Sequence, residues 1–183
     1  VRRLAGRRLY RTLDVDRDRT TGQARIRFAD PDVEIDLGGI AKGYGVDRAV
    51  AALREWGITR GIVDVGGDLY ALGRTAEGEP WRVGIRSPSD PEGLVGTLDV
   101  ADAAVATSGD YERYFLYHGR RYHHLMDPAT AAPRLTPIHS VTIRAHSCLA
   151  ADAGATAVYG WPAEAARRAL RAGGGGAELV REL

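Results

Sequence analysis

Alternating apolar and polar positions predict a chain built mainly from strands. The alternation over 23–28, and over Val33, Ile35 and Leu37, predicts two strands in the first part of the chain. The polar run 14–22 between the start of the chain and these strands predicts a turn. Further strands are predicted at 61–65, before Gly73, and at 81–86, 94–100, 103–106, 114–117, 121–126, 138–143 and 177–183.

Three helices are predicted, the first from apolar residues at helical spacing. The first follows a glycine-rich loop and ends at Gly57, the second is an alanine-rich segment over 149–158, and the third covers 162–172. Because the strands outnumber the helices and mostly follow one another as hairpins, the predicted class is α+β. We expect a mixed, mostly antiparallel sheet with flanking helices. A length of 183 residues suits a single domain over 1–183.

Composition narrows the function classes. The formal net charge is +1, so no global attraction to nucleic acid is expected. No apolar run approaches the ~20 residues that span a bilayer, so we predict no transmembrane segment in this chain. Cys148 is the single cysteine, which excludes an internal disulfide, and we interpret it as a small buried side chain.

Lys42 is the only lysine among 25 basic residues, and it lies in the glycine-rich loop 36–43. Lysine is a compact, mobile cation that arginine does not replace at close quarters. A loop of this kind leads into a helix N-terminus, where free N–H groups favour an anion such as phosphate. The alternative is a glycine-rich turn that serves packing only.

Asp152 and Thr156 are four residues apart on the alanine-rich predicted helix, so they share one face. A carboxylate and a hydroxyl together suit an oxygen-binding cation such as Mg²⁺. The alternative is structural, with Asp152 capping a helix or Thr156 bonding to the preceding turn.

Two further segments carry polar groups. His123 and His124 are adjacent on a predicted strand, so they point to opposite faces and at most one serves a given site as a general base. Otherwise they are packed or surface imidazoles. The run 107–111 reads as a polar loop that binds an anion or the edge of a heterocycle, or as an ordinary turn. The spacing of the other histidines does not predict a zinc cluster.

Taken together and in this order, six segments resemble the ApbE family, the FAD:protein FMN transferases. Each segment is weak alone, whereas their order over most of the chain is highly specific. The segments are 36–44 with Asp47, 66–68, Trp81 with 84–88, 107–111, 124–128 with Thr130, and 151–153 with Thr156.

The resemblance implies an ApbE-like (T-fold-like) fold and a reaction. FAD is split at its pyrophosphate, and FMN is attached through a phosphoester to a Thr or Ser hydroxyl of a target protein, with Mg²⁺ required. Two alternatives remain open. One is hydrolysis of FAD to FMN and AMP by the same site, and the other is a flavin-binding module without catalysis.

The resemblance also implies roles for single residues. Asp152, Thr156 and the carbonyl of Gly39 resemble the metal ligands, and His124 resembles the base that activates the target hydroxyl. Lys42 is expected to act through position and charge. The expected cofactor-binding set is Gly39, Ala41, Lys42, Asp68, Thr107, Ser108, Gly109 and His124.

The chain departs from the family pattern in three respects. Family members are usually longer at the N-terminal side, so we expect this chain to be the C-terminal part of a longer family fold, whether a fragment, a naturally short form or one completed by a partner. Asp64 and Ala131 stand where Asn and Gly are common. The family contains exported, lipid-anchored members and cytoplasmic ones, so the resemblance leaves the compartment open.

Overall fold

The computed structural model describes residues 4–90, 92–174 and 176–183. The chain divides into two compact units, one formed by 1–36 and 126–133 and the other by 37–125 and 134–183. After a short 3₁₀ turn at Leu9–Thr12, the elements are β1 Leu13–Arg17, β2 Ala24–Phe28, α1 Ala41–Glu55, β3 Gly61–Val65, β4 Asp68–Leu72, β5 Trp81–Arg86, β6 Leu94–Val100, β7 Ala103–Gly109, β8 Tyr114–Tyr117, β9 Arg120–His123, β10 Met126–Asp127, β11 Ala132–Pro133, β12 Ser140–Ala145, α2 Cys148–Val158, α3 Ala163–Ala172 and β13 Glu178–Glu182.

The smaller unit contains two short hairpins, β1–β2 and β10–β11. Two predictions for this unit are wrong. β1 pairs with β2, so the predicted turn at 14–22 is wrong for its first four residues. The register puts Leu13 opposite Phe28 and Val15 opposite Ile26, so the hairpin has an apolar face, but both strands are largely exposed. The charged residues between these apolar positions obscured β1 in the sequence. The predicted strand through Val33 and Ile35 is also wrong, since no strand partner meets that segment among the described residues.

A five-stranded sheet forms the centre of the larger unit, with the order β13-β12-β7-β4-β3. Every neighbouring pair is antiparallel, which confirms the predicted sheet type. The strand predicted at 177–183 is the edge strand β13, Glu178–Glu182. Alternating side chains build one core on each face. The helices cover one face around Val46, Ile143 and Ala155, and the hairpin β5–β6 covers the other around Ala71 and Val100.

The polar loop predicted at 107–111 is wrong for its first three residues, which end β7. Thr107, Ser108 and Gly109 are not a loop but the last three residues of the strand, paired with Thr142, Val141 and Ser140 of β12. Small polar residues carry no apolar alternation, so only the partner strand reveals the ladder. As neighbours in a strand, Thr107 and Ser108 project to opposite faces of the sheet.

β8 and β9 form a separate two-stranded hairpin that follows β7. Within the described ranges, none of the helices has the length and apolar character needed to cross a bilayer.

Candidate active site

The start of α1 passes directly over the start of α2 at Gly43. A Cβ on this glycine would lie 2.3 Å from the backbone oxygen of Cys148, closer than any side chain permits. Gly43 is therefore required for the close approach of two backbones. This contact sets the separation of the two helix starts that carry the candidate site.

An aspartate of α1 caps the N-terminus of α2. The backbone N–H groups of Cys148 and Leu149 donate to the Asp47 carboxylate at 2.7 and 3.0 Å, and the N–H of Ala150 donates to Ser147 Oγ at 3.2 Å. The first three donors of α2, which have no partner within the helix, are thus satisfied. Because Ser147 and Asp47 fill this role, Asp152 is not the cap of its own helix.

Asp152 instead caps the other helix. The backbone N–H of Gly43 donates to Asp152 Oδ2 at 3.0 Å, across 109 positions of sequence. The N–H of Ala41 donates to the carbonyl of Leu37 at 2.8 Å. Two N–H groups at the start of α1 are therefore occupied by protein, and a carboxylate lies where the sequence suggested an external anion.

Lys42 lies between two buried carboxylates. Its Nζ forms an ion pair with Asp68 Oδ2 and lies 3.7 Å from Asp152 Oδ1. Asp68 is 1% exposed and Asp152 is 3% exposed. Burial raises the pKa of Asp68. Lys42 and the backbone N–H of Thr107 oppose that rise, whereas the negative charge of Asp152 adds to it. With both acids ionised, two negative charges face one positive charge.

Two hydroxyl groups and the loop before α1 meet beside this cluster. Thr156 is one turn beyond Asp152 on α2, and its Oγ1 lies 3.3 Å from Ser108 Oγ at the end of β7. A Cβ on Gly39 would lie 3.3 Å from Thr156 Oγ1, so the loop before α1 packs against this hydroxyl. The structure therefore brings together Gly39, Lys42, Asp68, Ser108, Asp152 and Thr156.

Other predicted residues are placed differently. The hydroxyl of Thr107 lies 2.9 Å from Thr142 Oγ1 on the sheet face opposite Ser108, so Thr107 reaches Asp68 only through its backbone. Ala41 contributes the first turn of α1 and is exposed. Gly109 is buried where a Cβ would lie 2.5 Å from the ring of Tyr111, so it fills a packing role.

The two adjacent histidines differ in burial and in partners, and only His123 belongs to a strand, as the last residue of β9. His123 is buried, with Nε2 3.1 Å from the carbonyl of Arg134 and Nδ1 accepting from the N–H of Leu125 at 3.2 Å. His124 is exposed, and its Nδ1 lies 3.3 Å from the carbonyl of Arg113. The described hydrogen bond of His124 is thus with the segment before β8 and not with the carboxylate cluster.

Sequence reasoning counted Asp47 with the family-like segment 36–44 but assigned it no role, although this residue joins the two helix starts. Its partners Cys148 and Leu149 are 101 and 102 positions away, so no local spacing indicates the contact. The available signal was an aspartate within a predicted helix, which is a poor helix former unless its side chain has a partner.

The residues present fit a hard cation such as Mg²⁺. A divalent ion prefers carboxylate, hydroxyl and carbonyl oxygens, and Asp152, Thr156 and the loop at Gly39 offer these types side by side. With both acids ionised, the two carboxylates outnumber the charge of Lys42 and attract a cation. No group of three His, Cys, Asp or Glu side chains suited to a metal occurs in the part of the chain that the structure describes, so hydroxyl, backbone or substrate oxygens must complete any such site.

The sequence pattern of the ApbE family matches residues 2–180, so this chain belongs to the ApbE family. It is 35% identical over 164 residues to an FAD:protein FMN transferase of Klebsiella pneumoniae, covering 89% of this chain and 49% of that protein. It is 41% identical over 127 residues to one of Vibrio cholerae, covering 69% and 38%. The chain spans about half the length of the curated relatives it matches.

Solved structures agree with this membership. The fold matches the ApbE protein of Thermotoga maritima with a TM-score of 0.77 and 36% identity, over 93% of this chain and 53% of that one. It matches the flavin transferase ApbE of Vibrio cholerae with a TM-score of 0.76 and 30% identity, over 99% and 58%. The ApbE-like fold expected from the sequence is confirmed.

Proposed function

We propose that this chain carries the site of a Mg²⁺-dependent transfer of FMN from FAD to a Thr or Ser hydroxyl of a target protein. The observation that supports it best is the cluster of Lys42, Asp68 and Asp152 beside Thr156, inside a family whose named relatives are FAD:protein FMN transferases. With both acids ionised the cluster is net negative, and it then repels the diphosphate of FAD unless a cation lies between them. This charge balance is the physical reason to expect metal dependence.

The proposed reaction is a phosphoryl transfer. The acceptor oxygen forms a bond to the phosphorus on the FMN side, the bond from that phosphorus to the bridging oxygen breaks, and AMP leaves with the bridging oxygen. His124 takes the proton of the acceptor hydroxyl and releases it to solvent. Bound Mg²⁺, held by Asp152, Thr156 and the Gly39 carbonyl, would neutralise charge on the diphosphate.

The protein's own contacts prepare the acid for this role. Asp152 Oδ2 is fixed by the N–H of Gly43, which leaves Oδ1 directed toward the Lys42 side of the cluster. Lys42 places its positive charge beside both buried carboxylates. Preorganised groups of this kind need little rearrangement when charge develops in the transition state.

The test uses Asp152→Asn, which keeps the shape of the side chain and an oxygen for the Gly43 N–H. The variant is incubated with FAD, MgCl₂ and a Thr-containing acceptor protein, and the FMN adduct is measured by mass spectrometry. We expect loss of Mg²⁺-dependent turnover and weaker Mg²⁺ binding by calorimetry, with an unchanged circular dichroism spectrum. Asp99→Asn, an exposed aspartate 3.7 Å from Arg82, is the control. Full activity of Asp152→Asn would contradict the metal assignment.

A second experiment separates transfer from the alternatives. His124→Ala is expected to lower transfer far more than FAD binding, because a base acts on the acceptor and not on the donor. AMP release without an adduct would indicate FAD hydrolysis instead. Tight FAD binding with no turnover, unchanged by Asp152→Asn, would indicate a binding module.

A further inference from the structure

The hairpin β8–β9 presents large apolar side chains to solvent. All four residues of β8 are exposed, although two are tyrosine, one is phenylalanine and one is leucine. Contiguous exposed apolar surface on a folded protein commonly marks an interaction site. This hairpin is therefore the strongest candidate for a function that the carboxylate cluster does not explain.

The two faces of the hairpin differ in chemistry. On one face the ring of Phe115 stacks on Tyr122 at 5.3 Å, Tyr117 meets Tyr122 edge-on at 6.4 Å, and the guanidinium of Arg120 lies 5.3 Å from the centre of the Tyr122 ring. We call Phe115, Tyr117, Arg120 and Tyr122 the aromatic face. It combines rigid rings with a cation, a combination that is frequent at protein interfaces.

The opposite face is tied to the rest of the larger unit. The guanidinium of Arg121 lies over the Tyr114 ring at 4.5 Å and donates to Asp110 Oδ1 at 2.9 Å. Asp110 is buried and also lies 2.9 Å from Nδ1 of His139. These contacts fix the base of the hairpin, so the aromatic face projects from a held position.

The aromatic face is continuous with the proposed base. His124 directly follows β9, two residues after Tyr122, and its Nδ1 lies 3.3 Å from the carbonyl of Arg113, two residues before Phe115. The hairpin also begins just after β7, whose Ser108 contacts Thr156 in the site. A polypeptide segment that lies along this face can therefore bring its hydroxyl to His124.

We infer that the aromatic face, Phe115, Tyr117, Arg120 and Tyr122, is the docking surface for the acceptor protein, and that it binds an extended segment with apolar and acidic residues flanking the acceptor Thr or Ser. This inference rests on the proposed function, since it assigns the partner of the same reaction. Apolar side chains of the segment pack on the stacked rings, and an acidic residue pairs with Arg120.

Binding is measured without catalysis, so that failure of docking and failure of transfer are distinguishable. Two fluorescein-labelled peptides of equal length carry a central Thr flanked by Leu and Asp or by Ser and Lys, and anisotropy reports their binding to the full chain. The variants are Phe115→Ala and its matched control Leu116→Ala, adjacent residues of 64% and 66% exposure that point to opposite faces. Arg120→Glu tests the charge preference.

We expect the Leu/Asp peptide to bind, the Ser/Lys peptide to bind at least tenfold more weakly, and Phe115→Ala to weaken binding about tenfold. Leu116→Ala should change binding less than twofold, and Arg120→Glu should narrow or reverse the preference between peptides. The inference is overturned if neither peptide binds the parent chain, if Leu116→Ala weakens binding as much as Phe115→Ala, or if Phe115→Ala weakens FAD binding equally. Peptide binding without any FMN adduct would instead remove the proposed transfer and leave the docking surface in place.

Discussion

Replacing Asp47 tests whether one carboxylate of α1 holds α2 in place. The Asp47 carboxylate accepts hydrogen bonds from the N–H groups of Cys148 and Leu149 at 2.7 and 3.0 Å. Asp47→Ala removes both acceptors and leaves these donors at a buried helix start. Asp47→Asn keeps one acceptor oxygen but removes the charge that interacts with the helix dipole.

The expected cost follows from the number of bonds lost. A hydrogen bond to a charged group contributes about 1.5–3 kcal/mol, and replacing a helix cap by alanine costs about 0.5–2 kcal/mol. Two bonds at the low end give about 3 kcal/mol for Asp47→Ala and about half of that for Asp47→Asn. For a chain of this size, about 3 kcal/mol corresponds to a fall in Tm of about 6–12 °C.

Urea and thermal unfolding, followed by far-UV circular dichroism, measure the free energy of unfolding of the three proteins. Asp99→Ala is the control, because an exposed aspartate 3.7 Å from an arginine contributes little, about 0–1 kcal/mol. The reasoning is refuted if Asp47→Ala lies within about 0.5 kcal/mol of the parent chain, the usual range of a neutral surface substitution. It is also refuted if Asp47→Asn is the more destabilised of the two.

Three further outcomes are expected. Burial raises the pKa of Cys148 from 9.0 to about 12. The thiol of the native protein should therefore not react with a disulfide reagent at pH 8, whereas it should react fully in urea. The free energy of unfolding that the neutral thiol contributes below pH 9 should be lost as the pH rises toward 12. Gly43→Ala should destabilise strongly because its Cβ meets the backbone of Cys148, whereas Gly45→Ala, with open space, should stabilise by about 0.5–1 kcal/mol in the urea titration. Ala131 has φ +53°, a conformation that glycine adopts without strain. Ala131→Gly should therefore raise the free energy of local unfolding by about 0.5–1 kcal/mol and slow proteolysis of 126–133. Ala129→Gly is the control, because Ala129 has no positive φ. A thiol that reacts in the native protein would contradict the first expectation, and a tolerated Gly43→Ala would contradict the second. Equal proteolysis of Ala131→Gly and Ala129→Gly would contradict the third.

Local patterns in the sequence predicted most of the larger unit. Apolar alternation located β5, β6 and β12, and helical spacing located α1, α2 and α3, because these elements bury one face against a core. The errors fall where burial gives no signal. β1 is an exposed strand whose apolar residues Leu13 and Val15 alternate with charged ones, and the end of β7 is a row of small residues recognised only by pairing with β12.

The site was predictable in part. The lone lysine and the four-residue spacing of Asp152 and Thr156 identified residues that do lie together. What the sequence did not show is that Asp152 Oδ2 belongs to the start of α1 and that the hydroxyl of Thr107 faces away from its neighbour Ser108. Both facts depend on contacts between distant segments, which local periodicity does not record. The positive φ of Ala131 gives a physical reason for the glycine common there in the family.

The exchange of aspartates between α1 and α2 restricts how the site can move. Helix ends are usually the first places where a helix frays, because their N–H groups have no partner within the helix. Here the opening turn of each helix is closed by an acid of the other, so neither turn can loosen alone. When a ligand enters, the two helix starts should shift as one rigid body, and adaptation to different ligands is left to the loop and the strand ends around them.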